Sequence, residues 1–597
     1  MFIKEAELSW KTGEPFSRFY KDLYFSKSHA EEESDYVYIG GNNLINRWKN
    51  LEPKSVFNIG ELGFGAGINF LTTLKRWKEF SNQENWLNYY SIEGHPLSLQ
   101  DLKKVHSKYP LLDSFSISLI EHYPINCKGL QRIEFIEERA SLTLSFYDVR
   151  ESFLNLDLET NYFDAWYLDG FSPDRNPEMW SKNTLKQVTK LSRNGTTFAT
   201  FSSSRNVKKE IENNGFQSET VSGFRNKRYM LKGKYKEKKE KRRKRSKQVI
   251  GIIGAGLAGC SLARILSSKG HEVTVFEKLS KYQKLKLGHQ ALVLYPRLSA
   301  FNSPYSQFCL QSYLYSINFY EEIGEPYWNN TGVLILDFNE ETHKRHQSLL
   351  STRNDKKIFV PVSPKEASDI AGIQLNKPGL FFPKAGWIDQ IGVCDTILED
   401  KNINLIQAEE IKKIRKGTKF EIFSQNNKYE FDQICLCNSF EADRFFDLPG
   451  LKTKRGQTTE IKNNGILNKL KLPVCAKGYI SPTRSEITLL GSTYNDKKDQ
   501  KLLMEDHIEN IEKARIISEI DTNISGGQVG FRATTSDRLP MVGQVGEFYV
   551  HTGHGSRGST SIPICSHFIS DLICNNIPLI DLRVINALRP ERFKNPN

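Results

Sequence analysis

The sequence predicts an α/β protein built from two nucleotide-binding domains in tandem. A strand, a glycine-rich turn and a helix follow one another twice, around Gly63 and around Gly256, and a basic run separates the two occurrences. Length agrees, because 597 residues exceed what one hydrophobic core usually organises. Apolar and β-branched runs alternating with longer amphipathic stretches argue for parallel sheets in both halves.

Composition narrows the class. Hydrophobic residues make up 38% and charged residues 26%, the balance of a globular chain rather than a disordered or membrane protein. No run of about 18 apolar residues offers a transmembrane helix. Charges at Lys4, Glu5 and Glu7 fall where a secretory signal needs its apolar stretch. The nine cysteines, an odd number without CxxC pairs, point to neither a disulfide framework nor a zinc site. A monomer in a reducing cytoplasm, with no metal and no membrane, is the expectation.

The net charge is +13, and Lys232 to Lys247 holds eleven Lys/Arg against two Glu, nine of those thirteen charges. Such a run is a solvated linker, a segment that holds phosphates by counterion release, or both. It sets the expected organisation: a first domain over 1–231, a basic linker over 232–247 and a second domain over 248–597.

In the first domain, Ser55–Glu61 reads as a strand entering the turn Gly63, Gly65 and Gly67, with a helix from Ile68 to Trp77. Glycines there let a ligand approach the backbone. Glu61 would repel a pyrophosphate but suits the cationic sulfonium and amino acid of S-adenosylmethionine. Tyr89–Glu93 ends a second strand on an acid, which either accepts ribose hydroxyls or faces solvent. Asp148, after Leu144–Tyr147, is a third strand-end acid, suited to an adenine amino group. An apolar strand delivers Asp169 to the ligand-binding edge, followed by Gly170 and Phe171. Methyl transfer to an amine needs a neutral nitrogen, so Asp169 there can orient the amine and take its proton. Phe171 can pack on the nucleobase or the sulfonium. The other reading is a helix-capping Asp followed by a core Phe.

In the second domain, Gln248–Ile253 is an apolar strand before Gly254, Gly256 and Gly259. A helix over Cys260–Lys269 follows, then the strand Glu272–Phe276 ending at Glu277. That is the dinucleotide fingerprint with its ribose-binding acid about twenty residues on. Near the C-terminus, Gly530-Phe531-Arg532 leads to Leu539-Pro540, and Gly553-His554-Gly555-Ser556-Arg557-Gly558 opens a helix of small residues.

These segments resemble known families. Trp10, Pro15-Phe16, Gly41-Asn42-Asn43, Glu61–Gly65 with Asn69, Leu168–Phe171 and Met179-Trp180 resemble the methyltransferase half of the bifunctional tRNA 5-methylaminomethyl-2-thiouridine biosynthesis family. Gln290-Ala291-Leu292, Tyr295-Pro296, Gly386-Trp387 and Arg455-Gly456-Gln457 resemble its oxidoreductase half. The segments around Arg532 and Gly558 resemble the glycine oxidase and D-amino acid oxidase superfamily. The resemblance implies a Rossmann-like methyltransferase followed by a glycine-oxidase-like FAD domain, whose antiparallel part binds substrate. It implies S-adenosylmethionine and FAD as cofactors and tRNA, at the wobble uridine of the anticodon loop, as partner. Arg532 would fork onto a substrate carboxylate. Tyr479 would be a second carboxylate contact or a half-buried strand tyrosine. Gly558 and Arg557 would close the flavin site. Two departures stand out: Ala66 where the family usually has Thr, and Lys286-Leu287-Gly288-His289 where it has a small Ala-Ser-Gly-Asn stretch. The competing reading is a fused glycine-type amine oxidase and amine methyltransferase that does not act on RNA.

Overall fold

The computed structural model describes residues 3–594, apart from 11–12, 25–28, 125–126, 157–161, 226, 237–246, 282–290, 302, 353–355, 464 and 521–522. The altered stretch 286–289 therefore lies outside the described residues. Two compact units emerge: Met1–Ser246 with Cys574–Leu582, and Lys247–Ile573 with Arg583–Asn597.

The first unit is built on an eight-stranded sheet. Its strands are β1 (Val56–Glu61), β2 (Trp86–Ile92), β3 (Gly129–Phe135), β4 (Ala140–Phe146), β5 (Phe163–Tyr167), β6 (Ser192–Thr200), β7 (Phe216–Ser222) and β8 (Tyr229–Tyr235), in the order β7-β8-β6-β5-β1-β2-β4-β3. The five central strands β6, β5, β1, β2 and β4 pair in parallel, and β3, β7 and β8 add antiparallel edges. Burial on both faces explains the apolar runs: all five residues of β5 are buried. β1 and β5 touch so closely that a Cβ at Gly60 would come 2.3 Å from the Trp166 ring. Parallel pairing brings the carboxyl ends of β1, β2 and β5, and so Glu61, Glu93 and Asp169, to one sheet edge.

The stretch expected as linker begins later than position 232. Leu231, Gly233 and Tyr235 continue β8 with period two, Leu231 and Tyr235 buried, while Lys232 and Lys234 take the other face. The lysines hid the alternation by making the segment look uniformly solvated.

This unit also includes a short C-terminal stretch. Tyr147 donates to Asp581 at 2.5 Å, Arg132 to the Ile577 carbonyl at 2.7 Å and Asn88 to Asn576 at 3.0 Å. The Leu582 amide donates to the Asn155 carbonyl at 2.9 Å.

The second unit has two main sheets. Strands Ile403–Ile406, Glu272–Phe276, Val249–Ile253, Gln433–Leu436 and Phe548–Thr552 pair in parallel in that order, with Met541–Val545 antiparallel at the edge. The eight-stranded second sheet is antiparallel except for one pair. Its longest ladder joins Leu451–Lys462 to Ile524–Thr535 and sets Arg532 opposite Lys454. The helix after the glycine turn spans Leu257–Ser268, starting before the expected Cys260, so Gly259 lies inside it. A Cβ on Gly259 would stand 1.9 Å from the Gly254 carbonyl oxygen, which is why the helix can pack so close to the turn. Among the described residues, no helix is long and apolar enough to cross a membrane. All nine cysteines are buried.

Candidate functional site

At the carboxyl edge of the first sheet, one amide joins two acids. Asn69, in the first turn of helix Ile68–Phe80, donates to Glu61 Oε1 at 2.9 Å and to Asp169 Oδ2 at 2.7 Å. Glu61 also accepts from Ser91 Oγ at 2.6 Å. Burial pushes the Glu61 carboxyl up to about 8, with the nearby Asp169 charge adding to the shift. Burial likewise raises Asp169, against the Gly170 amide, which donates to it at 2.7 Å. Two acids short of counter-charge beside a glycine cradle are chemistry prepared for a cation.

The cradle is tight. Gly65 and Gly67 have φ of +54° and +74°, and a Cβ at Gly67 would come 2.6 Å from the Phe64 ring. A Cβ at Gly63 would come 3.3 Å from the Gly170 Cα, which brings the loop against the turn after Asp169. Glu93 accepts from the Gly65 amide and the His95 amide, both at 2.7 Å, and so pins the loop. Asp148 is exposed and caps helix Val149–Leu154, accepting from the Glu151 amide at 2.8 Å. Its visible work is capping.

An aromatic wall stands over Asp169. Phe171 stacks on Tyr20 at 4.5 Å and meets Tyr24 edge-on at 5.0 Å. Asp22, between those tyrosines, accepts from the Ser172 amide at 3.1 Å and so fastens the N-terminal hairpin over the turn. Tyr38, whose hydroxyl faces Asp169, stacks on Tyr167 at 4.9 Å.

The second unit repeats the logic with different chemistry. Gly254 takes φ +105°, and its Cβ would meet the Cys437 carbonyl oxygen at 2.8 Å. At Gly256 a Cβ would meet nothing within 4 Å, so space is open above the helix N-terminus, where backbone amides and dipole favour a phosphate. Glu277 accepts from the Ala255 amide at 3.1 Å and from the Leu279 amide at 3.0 Å. Gly555, with φ +57°, brings the Gly555–Arg557 turn against Thr534, two residues beyond Arg532. Arg557 lies over the Tyr295 ring at 5.7 Å, and Gly558 begins the helix to Cys574.

Arg532 donates to Ser492 Oγ at 2.8 Å and to the Thr493 carbonyl at 3.1 Å. No carboxylate pairs with it among the described residues, and burial holds its pKa below the usual arginine value, with Tyr479 opposing. Burial pushes Tyr479 up to about 12 while Arg532 pulls the other way, so the two share one field. Tyr479 packs with Ala291, Trp387 and Leu489.

Comparison with known proteins places both units in described families. Residues 110–236 match the family model described as S-adenosyl-L-methionine-dependent methyltransferase, and residues 250–572 match FAD dependent oxidoreductase. The tRNA 5-methylaminomethyl-2-thiouridine biosynthesis bifunctional protein of Legionella pneumophila (strain Corby) is 34% identical, over 99% of this chain and 98% of its own. The chain belongs to that bifunctional family. Its counterpart in Idiomarina loihiensis is 31% identical over 98% of each chain. Among solved structures, a fructosamine oxidase from Aspergillus fumigatus superposes with a TM-score of 0.50 at 16% identity, covering 59% of this chain and 91% of that one. That likeness concerns the fold alone.

A member of this family is a methyltransferase and an oxidoreductase in one chain, with S-adenosylmethionine and FAD as cofactors. The donor sets fit them: buried acids around Glu61 for a cation, and bare backbone at Gly256 for a pyrophosphate. Sequence reasoning gave no role to Asn69, Tyr38, Tyr20 or the Ser492-Thr493 pair. Arg455 proves to be a fully buried structural hub bonded to Asp506, Gln457 and the carbonyls of Asp499 and Lys501.

Proposed function

We propose that the two units act in succession on one nucleoside, the wobble uridine of a tRNA anticodon loop. The oxidoreductase unit takes 5-carboxymethylaminomethyl-(2-thio)uridine to the 5-aminomethyl compound, and the methyltransferase unit takes that to 5-methylaminomethyl-(2-thio)uridine. When bound, FAD supplies the hydride acceptor and S-adenosylmethionine the methyl group. The hydride leaves the carbon between carboxylate and nitrogen, and water cleaves the resulting imine to glyoxylate and the free amine.

This chain's residues hold and orient. Arg532, with Tyr479, grips the carboxylate of the substrate. Gly254, Gly256, Gly259, Glu277, Arg557 and Gly558 hold the flavin nucleotide. Glu61, Gly63, Gly65, Gly67, Glu93 and Asp148 hold the methyl donor. Asp169 accepts a hydrogen bond from the amine and takes its proton, while Phe171 packs on the nucleobase. A wobble base splayed from its loop can enter either pocket. The basic residues up to Lys247 join the units and attract the tRNA backbone without reading its sequence. We read the protein as a cytoplasmic monomer.

The observation that carries this reading is the match of both halves, in one alignment, to relatives named for this tRNA modification. It is tested by mixing FAD-loaded protein with tRNA bearing the carboxymethylaminomethyl group and, separately, with glycine and sarcosine. Flavin reduction by the tRNA and none by the free amino acids is expected. Efficient reduction by glycine, with no retention of tRNA on a filter, would establish the small-molecule reading instead.

A further inference from the structure

His551, His554 and Cys565 take part in neither step above. His551 lies on strand Phe548–Thr552, His554 precedes the Gly555–Arg557 turn, and Cys565 lies about two turns into helix Gly558–Cys574. One donor atom from each lies within 4.8 Å of the other two. The imidazoles meet edge to face, with centroids 4.8 Å apart.

Ser561 Oγ stands 2.8 Å from His554 Nδ1 and 3.0 Å from the Arg557 carbonyl oxygen. His554 Nε2 is buried without a partner, and in the tautomer with its proton on Nδ1, where Ser561 accepts, Nε2 presents a lone pair. His551 is 1% exposed; its ring lies beside the Ala258 backbone, and neither ring nitrogen makes a hydrogen bond of ordinary geometry among the described residues. Cys565 is fully buried beside them. Native interiors seldom leave such nitrogens unpaired.

We propose that His551, His554 and Cys565 bind one zinc ion. Two neutral imidazoles and a thiolate are a donor set zinc accepts, with a water completing the tetrahedron. The ion would displace the thiol proton, offsetting the burial that disfavours a bare thiolate. Ser561 would be the outer partner that fixes the ring of a metal-bound histidine. Side-chain adjustments of about 1 Å bring the donors to zinc distances. The ion would fasten strand to helix on either side of the Gly555–Arg557 turn.

The test uses full-length, FAD-loaded protein exposed to excess zinc chloride and then desalted. Metal content is read by plasma emission, and the ligands by zinc K-edge absorption. The expected result is one zinc per chain, with one sulfur at about 2.3 Å and two nitrogens at about 2.0–2.1 Å. Cys565→Ala should lose the metal, and Ser561→Ala should bind it about tenfold more weakly. A wild-type protein without bound zinc, a zinc spectrum without sulfur, or undiminished zinc in Cys565→Ala would each overturn the assignment and leave three packed core side chains. Should Cys565→Ala fail to fold, the wild-type spectrum decides alone.

Discussion

The guanidinium of Arg532 lies across the backbone of Gly456, so close that a Cβ at 456 would stand 2.0 Å from Nη1. What position 456 requires is thus space for a neighbouring strand's side chain, since Gly456 pairs with Gly530 two residues before Arg532. Gly456→Ala should displace the guanidinium and lower oxidation of the carboxymethylaminomethyl substrate nearly as far as Arg532→Met does. Removing one partner of a buried charged pair costs about 2–5 kcal/mol, or tens to thousands in efficiency. Methylation of tRNA already bearing the aminomethyl group should be unchanged, and flavin content normal. Single-turnover flavin reduction on both variants checks this. Flavin loss in proportion to activity would make Arg532 a structural residue.

Asp169→Asn should abolish methylation while leaving S-adenosylmethionine affinity within about tenfold, because the lost interaction is with the amine proton. Asn69 reaches both Asp169 and Glu61, so Asn69→Leu should lower donor affinity and rate together. Calorimetry beside a methyl-transfer assay separates the two patterns. Near-normal methylation by Asp169→Asn would reduce that residue to a bystander.

Glu61 gives a pH signature. Its pKa in the fold, about 8, lies above the unfolded carboxylate value, so the folded unit holds this proton more tightly. Without ligand, this group's contribution to stability is therefore lost as pH rises from the ordinary carboxylate range through about 8. A bound cation reverses the preference and expels the proton. At pH 7, S-adenosylmethionine binding should release up to one proton, measured as buffer-dependent binding heat, and Glu61→Gln should remove that dependence. Equal heats in buffers of different ionisation enthalpy would contradict the assignment.

The stretch Cys574–Leu582 belongs to the methyltransferase unit, where it makes at least four hydrogen bonds, one of them to the fully buried Asp581. A fragment ending at 246 lacks them. At about 1 kcal/mol each, their loss should lower its melting temperature by several degrees. In the full chain, Asp581→Ala, which removes the carboxylate that accepts from the Tyr147 hydroxyl, should show part of that drop. A fragment 1–246 as stable as the methyltransferase unit in the full chain would show that the stretch is dispensable.

Much of both sites was legible because glycine spacing and strand-end acids are local signals. Glu61, Glu93 and Glu277 each terminate a strand next to a turn that needs glycine, and all three sit at the expected sheet edges. What was not legible depends on distance along the chain. Asn69 and Asp169 are 100 positions apart, and nothing in either neighbourhood announces their contact. Tyr20 reaches Phe171 only because the N-terminal hairpin folds over the turn. Asp148 also caps a helix start, a role that its place at a strand end did not announce. The start of the linker was misplaced because lysines on alternate positions of a strand near the sheet's edge resemble a solvated run.

If one chain performs two consecutive steps on one wobble nucleoside, its loss must show in that nucleoside. Mass spectrometry of wobble nucleosides from tRNA of a strain lacking the protein tests it most directly. In that strain 5-methylaminomethyl-(2-thio)uridine should disappear and the 5-carboxymethylaminomethyl compound accumulate. Complementation with Asp169→Asn should shift the accumulation to the 5-aminomethyl compound. An unchanged nucleoside profile in the deletion strain would contradict it.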